Sequence, residues 1–191
     1  MSSLYVLSIV FSFLLSRFWT EFRRFIHKFS PRPSLSGYAI LIPGGEKCLF
    51  YNSQISVKEY NRIRLAVGWK ELDEEQARIG LENSAYLTVA WDDGESRGET
   101  KPVGMARVIS DGGYMALIVD VMVLPEYQGK GVGRRLMENI TEWLDQLTKD
   151  GRCVMVNLMA TPGNESFYEK FGFVARPNDH MGAGMVRWIN D

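Results

Sequence analysis

Hydrophobic positions change their spacing repeatedly along this chain, and each change marks an element. The apolar stretch 48–51 (CLFY) predicts a first strand. Ser56-Val57-Lys58-Glu59 has the form of a capping box, a hydroxyl followed three residues later by an acid. It predicts a helix to about Val67, with Tyr60, Ile63 and Val67 on one face. A second helix is predicted from Asp73 to about Glu82. Strand-like runs follow at 85–91, 102–110 and 114–124, separated by Asp92-Asp93-Gly94 and Asp111-Gly112-Gly113. Turns this short predict an antiparallel meander. After a glycine-rich turn, Val132, Leu136, Met137, Ile140, Trp143, Leu144 and Leu147 form the stripe of a long amphipathic helix. Residues 153–159 (CVMVNLM) are nearly continuously apolar, the mark of a buried parallel strand. Thr161-Pro162 opens a short helix that ends at Phe171-Gly172, and 173–175 with 185–189 predict a final strand pair. The order β-α-α-β-β-β-α-β-α-β-β places the chain in the α/β class, with an α+β mixed sheet and flanking helices. That order suits a binding module as well as an enzyme.

The first forty residues read differently. Residues 4–15 (LYVLSIVFSFLL) are an unbroken apolar run ended by Ser16-Arg17. As a helix the run reaches roughly 18 Å, short of the ~30 Å of a bilayer core. It has the length of a signal-peptide core but lacks a basic leader and a small-residue cleavage site. Phe18, Phe22, Phe25, Ile26 and Phe29 then recur at helical spacing around Arg23, Arg24, His27 and Lys28. Residues 4–29 thus suit contact with a membrane surface, and equally an unstructured extension or a start placed too far upstream. If the run inserts, its basic flank keeps the remainder in the cytoplasm. Residues 30–37 (SPRPSLSG) read as a linker. The expected organisation is an N-terminal segment over 1–37 and one globular domain over 48–191.

Composition narrows the function classes. The chain has 191 residues, 46% hydrophobic, enough for one core. Its 22 basic and 23 acidic side chains leave a net charge of −1, which gives no global attraction to nucleic acid. Cys48 and Cys153, with His27 and His180, match neither a disulfide scaffold nor a metal-ligand spacing. No metal is expected, and a cytoplasmic home is the default.

The chemistry concentrates at Gln128-Gly129-Lys130-Gly131-Val132-Gly133-Arg134, between a hydrophobic strand and a helix. Glycines there let backbone N–H groups approach a ligand, and a helix N-terminus adds partial positive charge, which suits a pyrophosphate. The spacing matches neither the dinucleotide fingerprint nor a P-loop, since no Gly-Lys-Ser/Thr is present. It reads Q-x-x-G-x-G after a strand ending in Val-Leu-Pro.

Residues 119–136 (VDVMVLPEYQGKGVGRRL) resemble motif A of the GCN5-related N-acetyltransferases (GNAT), and 167–173 (FYEKFGF) resemble that family's closing motif at the expected distance downstream. The similarity covers roughly 50–190. Within the family, Val103-Gly104-Met105-Ala106-Arg107, Ser110-Asp111, Val119-Asp120-Val121 and Gly184-Met185 look like serotonin (arylalkylamine) acetyltransferases of chloroplasts and cyanobacteria. The resemblance implies a GNAT fold, with a meander followed by a splayed parallel pair, the family's fourth and fifth strands. It implies acetyl-CoA as cosubstrate. Val121, Met122 and Val123 would pair with its pantetheine arm, and an N–H near Val121 or Met122 would stabilise the oxyanion. Amides of Gln128, Gly129, Lys130, Gly131, Val132, Gly133 and Arg134 would hold the pyrophosphate. Tyr168 would protonate the leaving thiolate; its bland alternative is a packed aromatic. Where many relatives have an asparagine seven residues before that tyrosine, this chain has Thr161, and Asn164 is the substitute.

An amine of reference pKa ~10.4 must lose a proton before it attacks. Asp120 is the one acid in the strand 114–124, costly there without a partner. It either handles the substrate ammonium or pairs with a helix N-terminus or an arginine such as Arg107. Gly68-Trp69 and the loop with Asn178-Asp179-His180, Gly182 and Gly184 are weaker candidates for acceptor walls, the loop reading more simply as a solvated turn. Cys153, in a predicted buried strand, is a poor nucleophile. The expected reaction is therefore direct acetyl transfer to a primary amine in a ternary complex, with a small arylalkylamine first. A protein lysine or N-terminus, and a non-catalytic acyl-CoA sensor, are the alternatives. Oligomeric state is left open, a homodimer included.

Overall fold

The strand-like stretches fall into one sheet whose members lie side by side in chain order. The computed structural model describes residues 37–42, 45–93 and 100–189, all within the unit Leu35–Asp191. The readings of 4–36 and of Gly94 lie outside the described residues. The strands are β1 (Gly37–Ile42), β2 (Gly45–Asn52), β3 (Tyr86–Asp92), β4 (Lys101–Ser110), β5 (Met115–Val123) and β6 (Met155–Leu158). Every neighbouring pair is antiparallel except β5–β6, which is parallel. The meander and the parallel addition are as expected. The strand expected at 48–51 is longer, and β1, not expected, precedes it and pairs with it from Gly37↔Phe50 onward.

Local chemistry starts the helices where the sequence places them. Ser56 Oγ accepts from Glu59 N at 3.2 Å and opens α1 (Val57–Ala66), while the Glu59 carboxylate turns to Arg62 Nε at 2.7 Å. Asp73 Oδ1 accepts from the amides of Glu75 and Gln76, both at 3.0 Å, and opens α2 (Glu74–Glu82). The long helix is α3 (Val132–Leu147); it packs across β3, β4 and β5 with Val132, Leu136, Met137, Ile140 and Trp143 buried. α1 packs against β4 and β5. With Pro102 to Ala106 buried in succession, both faces of β4 are covered. Tyr60, Ile63, Ala77, Val89, Met105, Val108 and Ile140 belong to the core so formed. Among the described residues no helix is long and apolar enough to cross a membrane.

The C-terminal third departs from expectation. β6 holds only four of the seven residues of the run 153–159, all half-buried, and Cys153 is exposed outside it. The reason is position: β6 is the edge of the sheet, with β5 on one side alone. A short helix, α4 (Glu165–Glu169), follows, with Asn164 at its cap in place of Thr161-Pro162. Residues 173–189 form no strand pair. Asn178 instead closes a turn there, donating Nδ2 to Ala175 O at 3.1 Å and accepting at Oδ1 from His180 N and Met181 N at 3.0 Å each.

Candidate active site

The site begins where two strands part. β6 accompanies β5 from Met115↔Met155 to Ile118↔Leu158 and stops, while β5 continues to Val123 against β4. Between Arg107↔Val119 and Met105↔Met122, β5 uses three steps where β4 uses two. The extra residue makes a bulge, and Asp120 sits in it at φ 53°, the one described non-glycine residue at positive φ. Leu124 N donates to Val103 O at 2.8 Å. By strand alternation Met122 therefore faces β4, and Val121 and Val123 turn their backbone polar groups to the open side. The Val123 carbonyl accepts from Gln128 Nε2 at 2.9 Å. Val121 offers both its N–H and its C=O. At Gly104 the packing is close enough to need a glycine: a Cβ there would lie 2.9 Å from Met122 O and 3.3 Å from Val132 Cγ1.

β5 runs directly into the glycine turn. Leu124 leads through a 3-10 turn (Pro125–Tyr127) to Gln128, then to Gly129 at φ 70° and Gly131 at φ 85°, the N-cap of α3. Both glycines face open space, so no side chain plugs the turn. Arg135 N is the first to bond back to Gly131 O, which leaves the amides of Val132, Gly133 and Arg134 without helical partners. The first turn of α3 carries no acid. Lys130 lies over the ring of Tyr127, whose hydroxyl donates to the buried Asp92 carboxylate. All of Gln128 to Arg134 thus lie in one cationic, amide-lined turn at the end of the open strand. Such an arrangement can take the anionic end of an extended ligand.

α4 brings Tyr168 to this region. The Phe167 ring comes within 3.5 Å of where a Gly133 Cβ would stand, and Tyr168 packs edge-on against Phe167 at 5.0 Å and Phe173 at 6.4 Å. Among the described residues the Tyr168 hydroxyl has no hydrogen-bond partner, and burial raises its pKa above the ordinary tyrosine value. Asn164 donates Nδ2 to Thr161 Oγ1 at 2.7 Å, so the two alternative loop residues are joined to each other.

Asp120 is fully engaged. Its Oδ2 accepts from Tyr60 Oη at 2.7 Å and from Arg107 Nε, and its Oδ1 from Arg64 Nη1 at 3.4 Å. Arg107 also reaches Gly80 O at 3.1 Å. Arg64 lies between the rings of Tyr60 and Trp69, 5.5 and 5.3 Å from their centres. Burial, then the neighbouring Asp120, raises the Tyr60 pKa. Of the alternatives open for Asp120, the arginine pair is the one formed. Sequence reasoning had Tyr60 only as core and passed over Arg64; their spacing of four on α1 is the signal that places both near one partner. Gly68-Trp69 join this cluster through Arg64, while 178–182 form an exposed turn.

A family model for the acetyltransferase (GNAT) domain matches residues 83–175. The uncharacterized N-acetyltransferase ycf52 of the red alga Pyropia yezoensis is 30% identical over 131 residues, 69% of this chain and 72% of that protein. Serotonin N-acetyltransferase 2, chloroplastic, of rice is 33% identical over 135 residues, 70% of this chain and 64% of that protein. A crystallised probable acetyltransferase from methicillin-resistant Staphylococcus aureus, 28% identical, superposes with a TM-score of 0.61 over 73% of this chain and 99% of its own. With a curated relative matched over most of its length, and with a splayed strand pair where the motif at 119–136 had predicted one, the chain belongs to the GNAT family of N-acetyltransferases.

Proposed function

We propose that this N-acetyltransferase moves acetyl from acetyl-CoA directly to the primary amine of a small molecule, an arylalkylamine or a close equivalent. One observation carries the reading: the open edge of β5 at Val121 and Val123 leads straight into the unplugged, acid-free turn at Gln128 to Arg134. Acetyl-CoA supplies the activated thioester. The amides from Gly129 to Arg134 hold its diphosphate, with Lys130 and Arg134 adding charge, and Asn164, at the cap of α4, is the further contact assigned to it. The Val121 N–H, not that of Met122, polarises the thioester carbonyl, usually a large electrostatic contribution. Tyr168, kept protonated by its burial, gives its proton to the departing thiolate.

Asp120 is proposed as a positioning residue and not the base. Both its oxygens are committed to Arg107, Tyr60 and Arg64, so the proton of the amine passes to solvent. The name of the rice relative supports the arylalkylamine class and, being chloroplastic, a plastid home in place of the cytoplasm. Contact of residues 4–29 with a membrane surface stands as a separate proposal, tested by flotation of the full chain with anionic vesicles.

The test is release of free CoA from acetyl-CoA across a panel of tyramine, serotonin, spermidine and a lysine-containing peptide. Turnover with the aromatic amines is expected. Turnover with the peptide alone would move the acceptor to proteins. Silence across the panel, with CoA binding measured, would leave an acyl-CoA sensor.

A further inference from the structure

The glycine turn needs a hold from outside itself. Gly129 and Gly131 both stand at positive φ, and a glycine backbone that can reach such angles can also leave them. Amides on a soft loop bind an anion well only if they are already aimed when it arrives. Among the described residues from Pro125 to Gly131, Tyr127 is the one buried side chain, 2% exposed. The fix has to come through it.

Tyr127 is tied at both ends. Its N–H donates to Leu124 O at 2.8 Å, and its hydroxyl donates to the carboxylate of Asp92, the last residue of β3. Strand β4 separates β3 from β5, so the tie reaches across the sheet to a strand that does not border the cleft. Asp92 is 4% exposed, and a carboxylate buried that far is costly. Its charge also opposes an anionic ligand in the turn beyond. What it gives the site is therefore an acceptor at a fixed place and not its charge. Over the ring of Tyr127 lie the ammonium groups of Lys101 and Lys130, each 5.6 Å from the centre. Lys101 opens β4 directly opposite Asp92, and Lys130 belongs to the turn itself. A ring that shifts takes Lys130 with it.

We infer that Asp92 is a positioning residue for the cosubstrate: through Tyr127 it holds residues 128–131 in the open form in which their amides and Lys130 meet a diphosphate. The inference rests on the turn being the acetyl-CoA site, as proposed above, and holds whichever amine is the acceptor. Asp92 acts at one remove, by way of the phenol, in the manner of an outer group that keeps a binding group in place.

The experiment compares calorimetric Kd values for CoA and for pantetheine, which has the arm without the diphosphate, across four forms of the full chain. These are wild type, Asp92→Ala, Tyr127→Phe and Asp92→Asn. Asp92→Ala and Tyr127→Phe break the tie, and the phenylalanine keeps the ring and its lysines, so it decides the matter if the alanine variant does not fold. Both are expected to weaken CoA by about 10-fold or more while pantetheine changes by less than about 2-fold. In turnover the KM for acetyl-CoA should carry the loss and kcat should not. Asp92→Asn retains an oxygen for the phenol and is expected to recover most of the affinity for CoA. Equal losses for CoA and pantetheine would make the pair a stabiliser of the fold alone and overturn the inference. Unchanged CoA affinity in Tyr127→Phe, or an asparagine variant as weak as the alanine one, overturns it as well. A wild type that binds no CoA at all would instead sink the reading of the turn, and this inference with it.

Discussion

Tyr60 on α1 donates its phenol to Asp120 on β5 at 2.7 Å, sixty residues away in sequence. With Arg64 and Arg107 it forms a closed cluster in which the acid and both guanidiniums are 10–14% exposed. Removing the acid strands two buried cations. Asp120→Ala is expected to cost about 3–5 kcal/mol, read by urea denaturation. Asp120→Asn keeps the shape and should lower kcat by less than about 10-fold, with the acidic limb of the pH–rate profile unmoved. A general base would lose about 10²–10⁴-fold and that limb with it.

Tyr168→Phe removes one hydroxyl that has no partner among the described residues. The fold should be untouched, since the aromatic contacts to Phe167 and Phe173 remain. Expected is a fall in kcat on the order of 100-fold, with the Kd for CoA within about 3-fold of wild type. Unchanged turnover would remove the phenol from the chemistry.

Two glycines separate binding from stability. At Gly131 a Cβ meets nothing, but φ is 85°. Gly131→Ala should therefore cost about 1–2 kcal/mol of backbone strain and weaken CoA binding by roughly 10-fold, read by calorimetry, as the turn relaxes. At Gly104 φ is ordinary, but the Cβ would press to 2.9 Å from a backbone oxygen. Gly104→Ala should lower Tm by parting β4 from β5, whatever ligand is present.

Buried phenols set an alkaline limit. Burial raises Tyr51 and Tyr86 to about 12 each, and raises Tyr60 and Tyr168 as well. Their neutral forms are favoured in the folded chain, so that stability is complete below the unfolded value of ~10 and falls as pH rises toward the folded values. Urea midpoints should be flat with respect to these groups up to about pH 10 and decline above it. The tyrosinate absorbance of these four phenols should appear together with unfolding.

What was legible in the sequence was local. The stripe of α3, the caps Ser56 and Asp73, and the glycine turn each need only neighbours within a turn or two. Long-range facts were not. Nothing in the period of α1 says that Arg64 meets an acid 56 positions later. The run 153–159 reads as buried because apolar content reports what a strand can bury, whereas its place at the sheet edge decides what it does bury. Residues 185–189 have the propensity of a strand, and propensity does not supply a partner. Asp120 was correctly isolated as costly without company, but only the fold could say which company.

The single inserted step at Asp120 has a last consequence. It acts as a phase shifter: every residue after it on β5 presents its backbone to the opposite neighbour from the one that plain counting would give. Any replacement that keeps the chain length keeps that shift, because the number of residues and not their identity sets it. Deleting the residue would bring back plain alternation, with Val119 and Met122 still facing β4 and Val121 still facing outward, so the cleft would keep its donor and lose only the bulge and its acid.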